Sequence, residues 1–279
     1  MTPAELRGLL ARHGIRAVHG RGQNFLADDR VLSAIVEGAG VKPGDQVLEI
    51  GPGPGALTEK LLDAGATVVA VELDARFRPL LEGRFAGRTF TLVAGDFLEQ
   101  NRRELLAYFP QPAGSYKVVA NIPYYLTSKI IQNLLREAPK PVLACLMVQK
   151  EVGERLTARP GKMSSIAVYC QIFAEISKII SVGRTSFQPP PKVDSVVLRL
   201  DVKSDVEVAE FFQLLDEDSF FRLVQACFTQ KRKKIRNLLP FPAAESEHWL
   251  LAAGISPDVR PETLSVDDWR RLAGAVLRA

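Results

Sequence analysis

The chain has 279 residues, about 1.9 times the length of a typical domain, which favours one large domain with a smaller companion. Hydrophobic residues make up 47% and charged residues 24%, a globular balance that excludes a disordered, fibrous or low-complexity chain. The net charge of +4 permits an anionic partner without requiring one, and the longest apolar run, 141–148, falls well short of the roughly 20 residues that span a bilayer.

From the N-terminus, Thr2, Pro3 and Glu5 predict a capped helix running to about His13. Glu5, Arg7, Arg12 and His13 leave no apolar stretch of the kind a secretory signal needs, so a cytoplasmic protein with no membrane association is expected. Arg7, Arg12, Arg16 and Arg21 make residues 1–27 a basic arm, broken by Gly14, Gly20 and Gly22. Asp28 or Asp29 can cap an amphipathic stretch over 31–39. Apolar strands are then predicted over 46–50, 67–72, 89–94, 117–120 and 142–148, separated by segments of helical periodicity, which is the βα alternation of a parallel sheet. Two further strands, 175–182 and 193–202, flank a proline-rich turn. The strand signal stops after Ser204, and helices are predicted over 208–215, 220–239, 245–253 and 266–277. The expected division is therefore an α/β domain over 1–204 and a helical domain over 205–279. Cys145, Cys170 and Cys227 each sit in an apolar segment without metal-ligand spacing and read as core thiols, so no metal is expected.

Polar residues fall at the ends of successive strands. Gly51, Gly53 and Gly55 form a glycine-rich turn after the first strand of the alternation, and Glu72, Asp96 and Asn121 follow at intervals of 21, 24 and 25 residues. Each interval is about one βα unit, which places the set along the carboxyl edge of an open sheet, where such sheets bind ligands. Glu72 suits the two hydroxyls of a ribose, and Asp96 beside Phe97 suits the amino edge of an adenine. This much also fits a nicotinamide dehydrogenase. The fourth strand end argues otherwise: Asn121, Ile122, Pro123 and Tyr124 offer an amide oxygen, a carbonyl and an aromatic ring within four residues, the groups a second, flipped adenine would need. Two acceptors on N6 would favour the tetrahedral nitrogen that attacks an electrophilic methyl group. The basic run Lys231, Arg232, Lys233 and Lys234, with Arg236, is either a solvated helix face or a phosphate-binding surface.

Taken in order, Gly22-Gln23-Asn24-Phe25-Leu26, Glu49-Ile50-Gly51-Pro52-Gly53, Gly95-Asp96, Asn121-Ile122-Pro123-Tyr124 and Phe187-Gln188-Pro189-Pro190-Pro191-Lys192-Val193-Asp194-Ser195 resemble the ribosomal RNA adenine dimethyltransferases of the small-subunit type. The likeness extends through the basic run to Arg260-Pro261-Glu262-Thr263-Leu264-Ser265. It implies a Rossmann-like, seven-stranded class I methyltransferase sheet, a smaller helical C-terminal domain and S-adenosylmethionine as methyl donor. It further implies Asn24, Leu26, Gly51, Glu72, Asp96 and Asn121 as cofactor contacts, with Asn121 also facing the target amine. Tyr124 and Phe187 would sandwich the target base, and the C-terminal domain with Lys231, Arg232, Lys233, Lys234 and Arg236 would bind RNA. The implied substrate is a pair of adjacent adenosines near the 3′ end of 16S rRNA within a small-subunit precursor, modified by a monomeric enzyme without a metal. A non-catalytic assembly factor and a large-subunit resistance methyltransferase are the alternatives, and the intact strand-end residues favour an enzyme. Pro54, Ser128-Lys129 and Met163-Ser164-Ser165 depart from the family's common pattern.

Overall fold

Apolar segments between glycine and proline breaks form the strands and helices of a computed structural model that describes residues 2–16, 23–110, 115–213 and 215–277. The strands are β1 (Phe25–Leu26), β2 (Gln46–Ile50), β3 (Thr67–Glu72), β4 (Phe90–Ala94), β5 (Lys117–Asn121), β6 (Leu143–Gln149), β7 (Ala174–Val182), β8 (Phe187–Gln188) and β9 (Ser195–Val202). The helices of the first half are α1 (Pro3–Arg12), α2 (Asp29–Gly38), α3 (Ala56–Asp63), α4 (Arg78–Arg84), α5 (Arg102–Leu106) and α6 (Thr127–Arg136). They are followed by α7 (Lys150–Leu156), α8 (Ser165–Phe173), α9 (Asp205–Phe212), α10 (Glu217–Cys227), α11 (Ala243–Ala252) and α12 (Val266–Leu277). None of these helices is long and apolar enough to cross a membrane. The expectations at Gly20, Arg21 and Gly22 lie outside the described residues.

Seven strands form one sheet in the order β4-β3-β2-β5-β6-β9-β7. β4, β3, β2, β5 and β6 run parallel, and β9 returns antiparallel to β6. The central strands are apolar almost throughout because helices cover both faces: Leu48, Val69, Val119 and Leu146 are fully buried. The chain proceeds outward from β2 to β3 and β4, then crosses to β5 on the other side of β2. The β2/β5 boundary is therefore the topological switch point at which such sheets open a ligand crevice. A second, two-stranded antiparallel ribbon pairs β1 with β8, setting Phe25 against Gln188 and Leu26 against Phe187. Strands this short carry no alternation, and the ribbon has no local signature in the sequence.

The capped ends follow their chemistry. Thr2 and Glu5 close the expected capping box on α1, and Asp28, rather than Asp29, caps α2. The departures near the tyrosines and at Met163 leave local structure intact: α6 forms through Ser128 and Lys129, Met163 is buried, and Ser164 caps α8.

The chain divides into two compact units, residues 1–153 with 176–202, and residues 154–175 with 203–279. The expected division at 204 thus differs in one segment, since 154–175 belongs with the helical part. Aromatic packing accounts for this. On α8, Tyr169 lies 5.0 Å from Phe221, and Phe173 lies 6.1 Å from Phe221 and 6.5 Å from Phe212. Phe220 meets Phe211, Phe212 and Phe221 edge-on, so α8, α9 and α10 share one ring cluster.

The helix predicted over 220–239 is also corrected, because α10 stops at Cys227. The Phe228 N–H caps the helix end on the Gln225 and Ala226 carbonyls, and the Thr229 hydroxyl donates to the Ala226 carbonyl at 2.8 Å, so both satisfy carbonyls of the last turn. Ile235 is fully buried and its N–H donates to the Val259 carbonyl, fixing the chain beyond the basic run. Lys231, Arg232, Lys233 and Lys234 therefore occupy an exposed turn, and Arg236 a short 3-10 helix, Ile235–Asn237.

In the first unit, Gly55 joins the glycine turn to α3 with φ of 82°, and a Cβ there would meet the Phe85 ring at 2.7 Å. Gly55→Ala is expected to destabilise the protein by about 1–3 kcal/mol, from left-handed backbone strain and overpacking, read as a lowered denaturant midpoint.

Candidate active site

The carboxyl ends of β4, β3, β2 and β5 lie side by side, so the sheet brings Asp96, Glu72, Gly51 and Asn121 into one row. Between them opens a cavity lined by Glu49, Gly51, Pro52, Gly53, Glu72 and Asp74 on one side and Asn121, Ile122, Pro123 and Tyr124 on another. Asn24 and Leu26 line it as well.

Glu72 is 9% exposed, and its two carboxylate oxygens accept from the backbone N–H groups of Gly53 at 2.9 Å and Asp74 at 2.8 Å. Burial holds its pKa above the ordinary carboxylate value despite these donors. Gly51, Gly53 and Gly55 all have positive φ. A Cβ on Gly53 would press on the Phe25 ring at 3.2 Å, and that ring stands edge-on to Phe77 with centroids 5.5 Å apart. At the start of α3, Gly55 offers no capping side chain, so the first-turn N–H groups are free to meet an anionic group beside Ala56 and Leu57.

Glu49 is a second acid in the cavity, 1% exposed, and accepts a 2.6 Å hydrogen bond from the Thr58 hydroxyl of α3. Desolvation raises its pKa to about 8, with the Glu72 charge adding to the shift and the Thr58 hydrogen bond opposing it. Asp74, two residues beyond Glu72, accepts from Gln23 Nε2 at 2.8 Å and pairs with Arg76 at 2.5 Å. The Arg76 hydrogen bonds hold its carboxyl far below the ordinary range.

At the other wall, Asn121 Nδ2 donates to the Asn24 carbonyl at 3.2 Å. With the nitrogen committed, the amide oxygen is the group left to accept from a ligand. The Tyr124 hydroxyl meets Ser195 Oγ at 2.6 Å, and Ser195 is fully buried at the start of β9. Burial raises the Tyr124 hydroxyl pKa, so the ring stays neutral and fixed at one edge. Tyr125, 62% exposed, also lines the cavity.

This geometry can be set beside known proteins. Residues 18–276 match the family model described as ribosomal RNA adenine dimethylase. The chain belongs to that family. It is 40% identical over 282 residues to the ribosomal RNA small subunit methyltransferase A of Moorella thermoacetica, covering 98% of this chain and 96% of the relative. The Staphylococcus aureus (strain bovine RF122 / ET3-1) protein of the same name is 35% identical over 281 residues, covering 97% and 93%. Among solved structures, a dimethyladenosine transferase from Plasmodium falciparum matches with a TM-score of 0.72 and 28% identity, over 89% of this chain and 95% of that one. The 23S rRNA methyltransferase ErmE matches with a TM-score of 0.69 and 28% identity, over 91% and 99%. As a member of the ribosomal RNA adenine dimethylase family the chain is an rRNA adenine dimethyltransferase with a Rossmann-like fold.

Not every expected site residue of this dimethyltransferase meets at the cavity. Asp96 ends the row but does not line the cavity, and its side chain caps a short turn by accepting from the Leu98 N–H at 2.9 Å. Phe187 is 2% exposed, packed in the core with Phe25 and Leu26, and is absent from the lining. In the second unit, Lys234 and Arg236 both reach Asp258, and Arg236 also pairs with Glu247 at 3.1 Å. Lys231, Arg232 and Lys233 are exposed and make no ion pair among the described residues. Glu49 and Ser195 stand in the family-like motifs with no role expected of them, and Asp74 and Tyr125 have no expected role either. Asp74 lies two residues beyond Glu72, and Glu49 opens the Glu49-Ile50-Gly51-Pro52-Gly53 motif, and these are the signals that mark them.

The raised Glu49 pKa has a stability consequence. Between about pH 4.5 and about 8 the folded protein retains a proton that the unfolded chain releases, so stability falls as pH rises through that window. Glu49→Gln is expected to flatten this segment of a stability-against-pH curve measured by urea denaturation.

Proposed function

We propose that this chain transfers methyl groups from S-adenosylmethionine to N6 of two adjacent adenosines near the 3′ end of 16S rRNA, acting on a precursor of the small ribosomal subunit. The observation that carries the reading is Asn121: its amide nitrogen is tied to the Asn24 carbonyl, and its oxygen shares a cavity with Glu72 and with the anchored ring of Tyr124. The names of the 35–40% identical relatives support the small-subunit assignment over the large-subunit one that ErmE represents.

The residues suit S-adenosylmethionine. Glu72 would accept from the ribose hydroxyls through lone pairs its two amide donors leave unused, and the uncapped first turn of α3 would receive the carboxylate. Glu49, kept protonated by burial, would ionise beside a cationic ligand, since a nearby positive charge favours the charged form. When bound, the cofactor supplies an electrophilic methyl group.

The protein's part is to prepare the attacking nitrogen. The N6 lone pair of adenine is delocalised into the ring, which makes it a poor nucleophile. Asn121 Oδ1 and the Ile122 carbonyl, one residue beyond the last β5–β6 pair of Asn121 with Met147, would accept the two N6 hydrogens and draw the nitrogen toward tetrahedral geometry. Tyr124 would stack on the base, an interaction worth roughly 1–3 kcal/mol, with Ser195 restricting its tilt. Pro123 fixes the backbone between these groups.

Asn121→Ala is expected to lower the single-turnover rate on small-subunit precursors by about 10²–10³-fold at saturating RNA and cofactor, while leaving precursor binding in place. A variant with wild-type turnover would overturn the role of Asn121. Labelled methyl appearing in large-subunit RNA instead would favour the resistance reading, and binding without transfer by the wild-type protein would favour an assembly factor. For the second unit, replacing Lys231, Arg232 and Lys233 by Gln is expected to weaken co-sedimentation with small-subunit precursors without altering cofactor affinity.

A further inference from the structure

A second cavity of about 510 Å³ opens where the end of α1 meets β8, lined by Arg7, Leu10, Ile15, Arg16, Gln188 and Pro189 among others. Its two cations have no carboxylate partner among the described residues. Arg7 has one long contact, 3.5 Å from Nη1 to Gln188 Oε1, and neither Arg7 nor Arg16 forms an ion pair with a described residue. The only acid of α1, Glu5, is held in the capping box with Thr2. The end of α1 does not oppose an anion either, because the Leu10 and Ala11 carbonyls are already taken by the N–H groups of His13, Gly14 and Ile15.

This cavity borders the proposed methyl-transfer site. Phe25 and Leu26 line the first cavity, Gln188 lines the second, and Phe25 and Gln188 are direct partners in the β1–β8 ribbon. Neighbouring strands lie about 4.8 Å apart, so one ribbon separates the two openings. A second tie runs through Arg76, which pairs with Asp74 of the first cavity and donates from Nη1 to the Arg16 carbonyl at 3.2 Å.

We propose that the Arg7 and Arg16 cavity is an anion site that takes a backbone phosphate of the RNA strand adjoining the target adenosine. Two guanidinium groups without a carboxylate partner among the described residues, beside the Gln188 amide and the apolar Leu10, Ile15 and Pro189, match phosphate, which offers each a bidentate edge. A single strand with one base turned into the first cavity carries its flanking phosphates to the ribbon's other side. The site would fix the strand's direction and register, while the strand-end residues hold the base. The proposal rests on the reading of this chain as an enzyme acting on RNA.

The test compares the full-length protein with Arg7→Gln/Arg16→Gln and Arg7→Lys/Arg16→Lys variants, using a short single-stranded RNA oligonucleotide as probe. The Gln pair is expected to bind more weakly and to flatten the plot of log affinity against log salt by about 0.7, the value for one phosphate no longer neutralised on a single strand. The Lys pair should retain most of the wild-type slope, and S-adenosylmethionine affinity should be the same in all three. An unchanged slope in the Gln pair overturns the site, whether or not the wild-type protein methylates rRNA. A flattened slope in a protein that transfers no methyl to rRNA would support the phosphate site and overturn the enzymatic reading, so the two failures are distinguishable.

Discussion

Two backbone amides donating to one buried carboxylate hold the cavity together. Glu72 ends the second strand of the alternation, and its oxygens take the N–H of Gly53 from the glycine turn and the N–H of Asp74 from its own loop. A carboxylate so buried would otherwise be costly, and the two donors offset part of that cost. From Asp74 the connection continues to Gln23 and Arg76, and from Arg76 to the carbonyl of Arg16. The turn after β2, the loop after β3, Arg16 and Gln23 are thereby tied to one another, although the first two lie far from the last two in sequence.

The same cavity sets two acids in a shared low-dielectric space. Glu49, with a pKa of about 8, is largely protonated at neutral pH, because burial and the neighbouring Glu72 both disfavour its charge. A ligand bearing positive charge would reverse that preference, since a nearby cation favours the ionised form. The site is therefore electrostatically adjustable rather than permanently anionic.

Much of this was legible in the chain. Glu72 ends β3 at the residue expected, and Asn121 ends β5, because a parallel strand buried on both faces reads as an apolar run that stops where polar chemistry begins. What escaped notice depended on distant partners. Val224, Phe228, Ile235 and Leu238 keep helical spacing across 220–239, yet the chain turns where the Ile235 N–H donates to the distant Val259 carbonyl. The spacing was real and its cause was tertiary. Phe187 likewise reads as a ring beside three prolines, whereas the two-residue ribbon with β1 places it in the core. Asp74 was unremarkable until folding brought Gln23 to it.

The membership of residues 154–175 in the helical unit bears on how the chain reaches its native state. That segment leaves the synthesis machinery before β9, but the rings that Tyr169 and Phe173 pack against, Phe212 and Phe221, are made later. During synthesis α8 must wait with an apolar face uncovered while the last strands of the sheet are completed. A chain interrupted near residue 204 would lack Phe212 and Phe221, the rings against which Tyr169 and Phe173 pack, and exposed apolar surface of that kind invites aggregation.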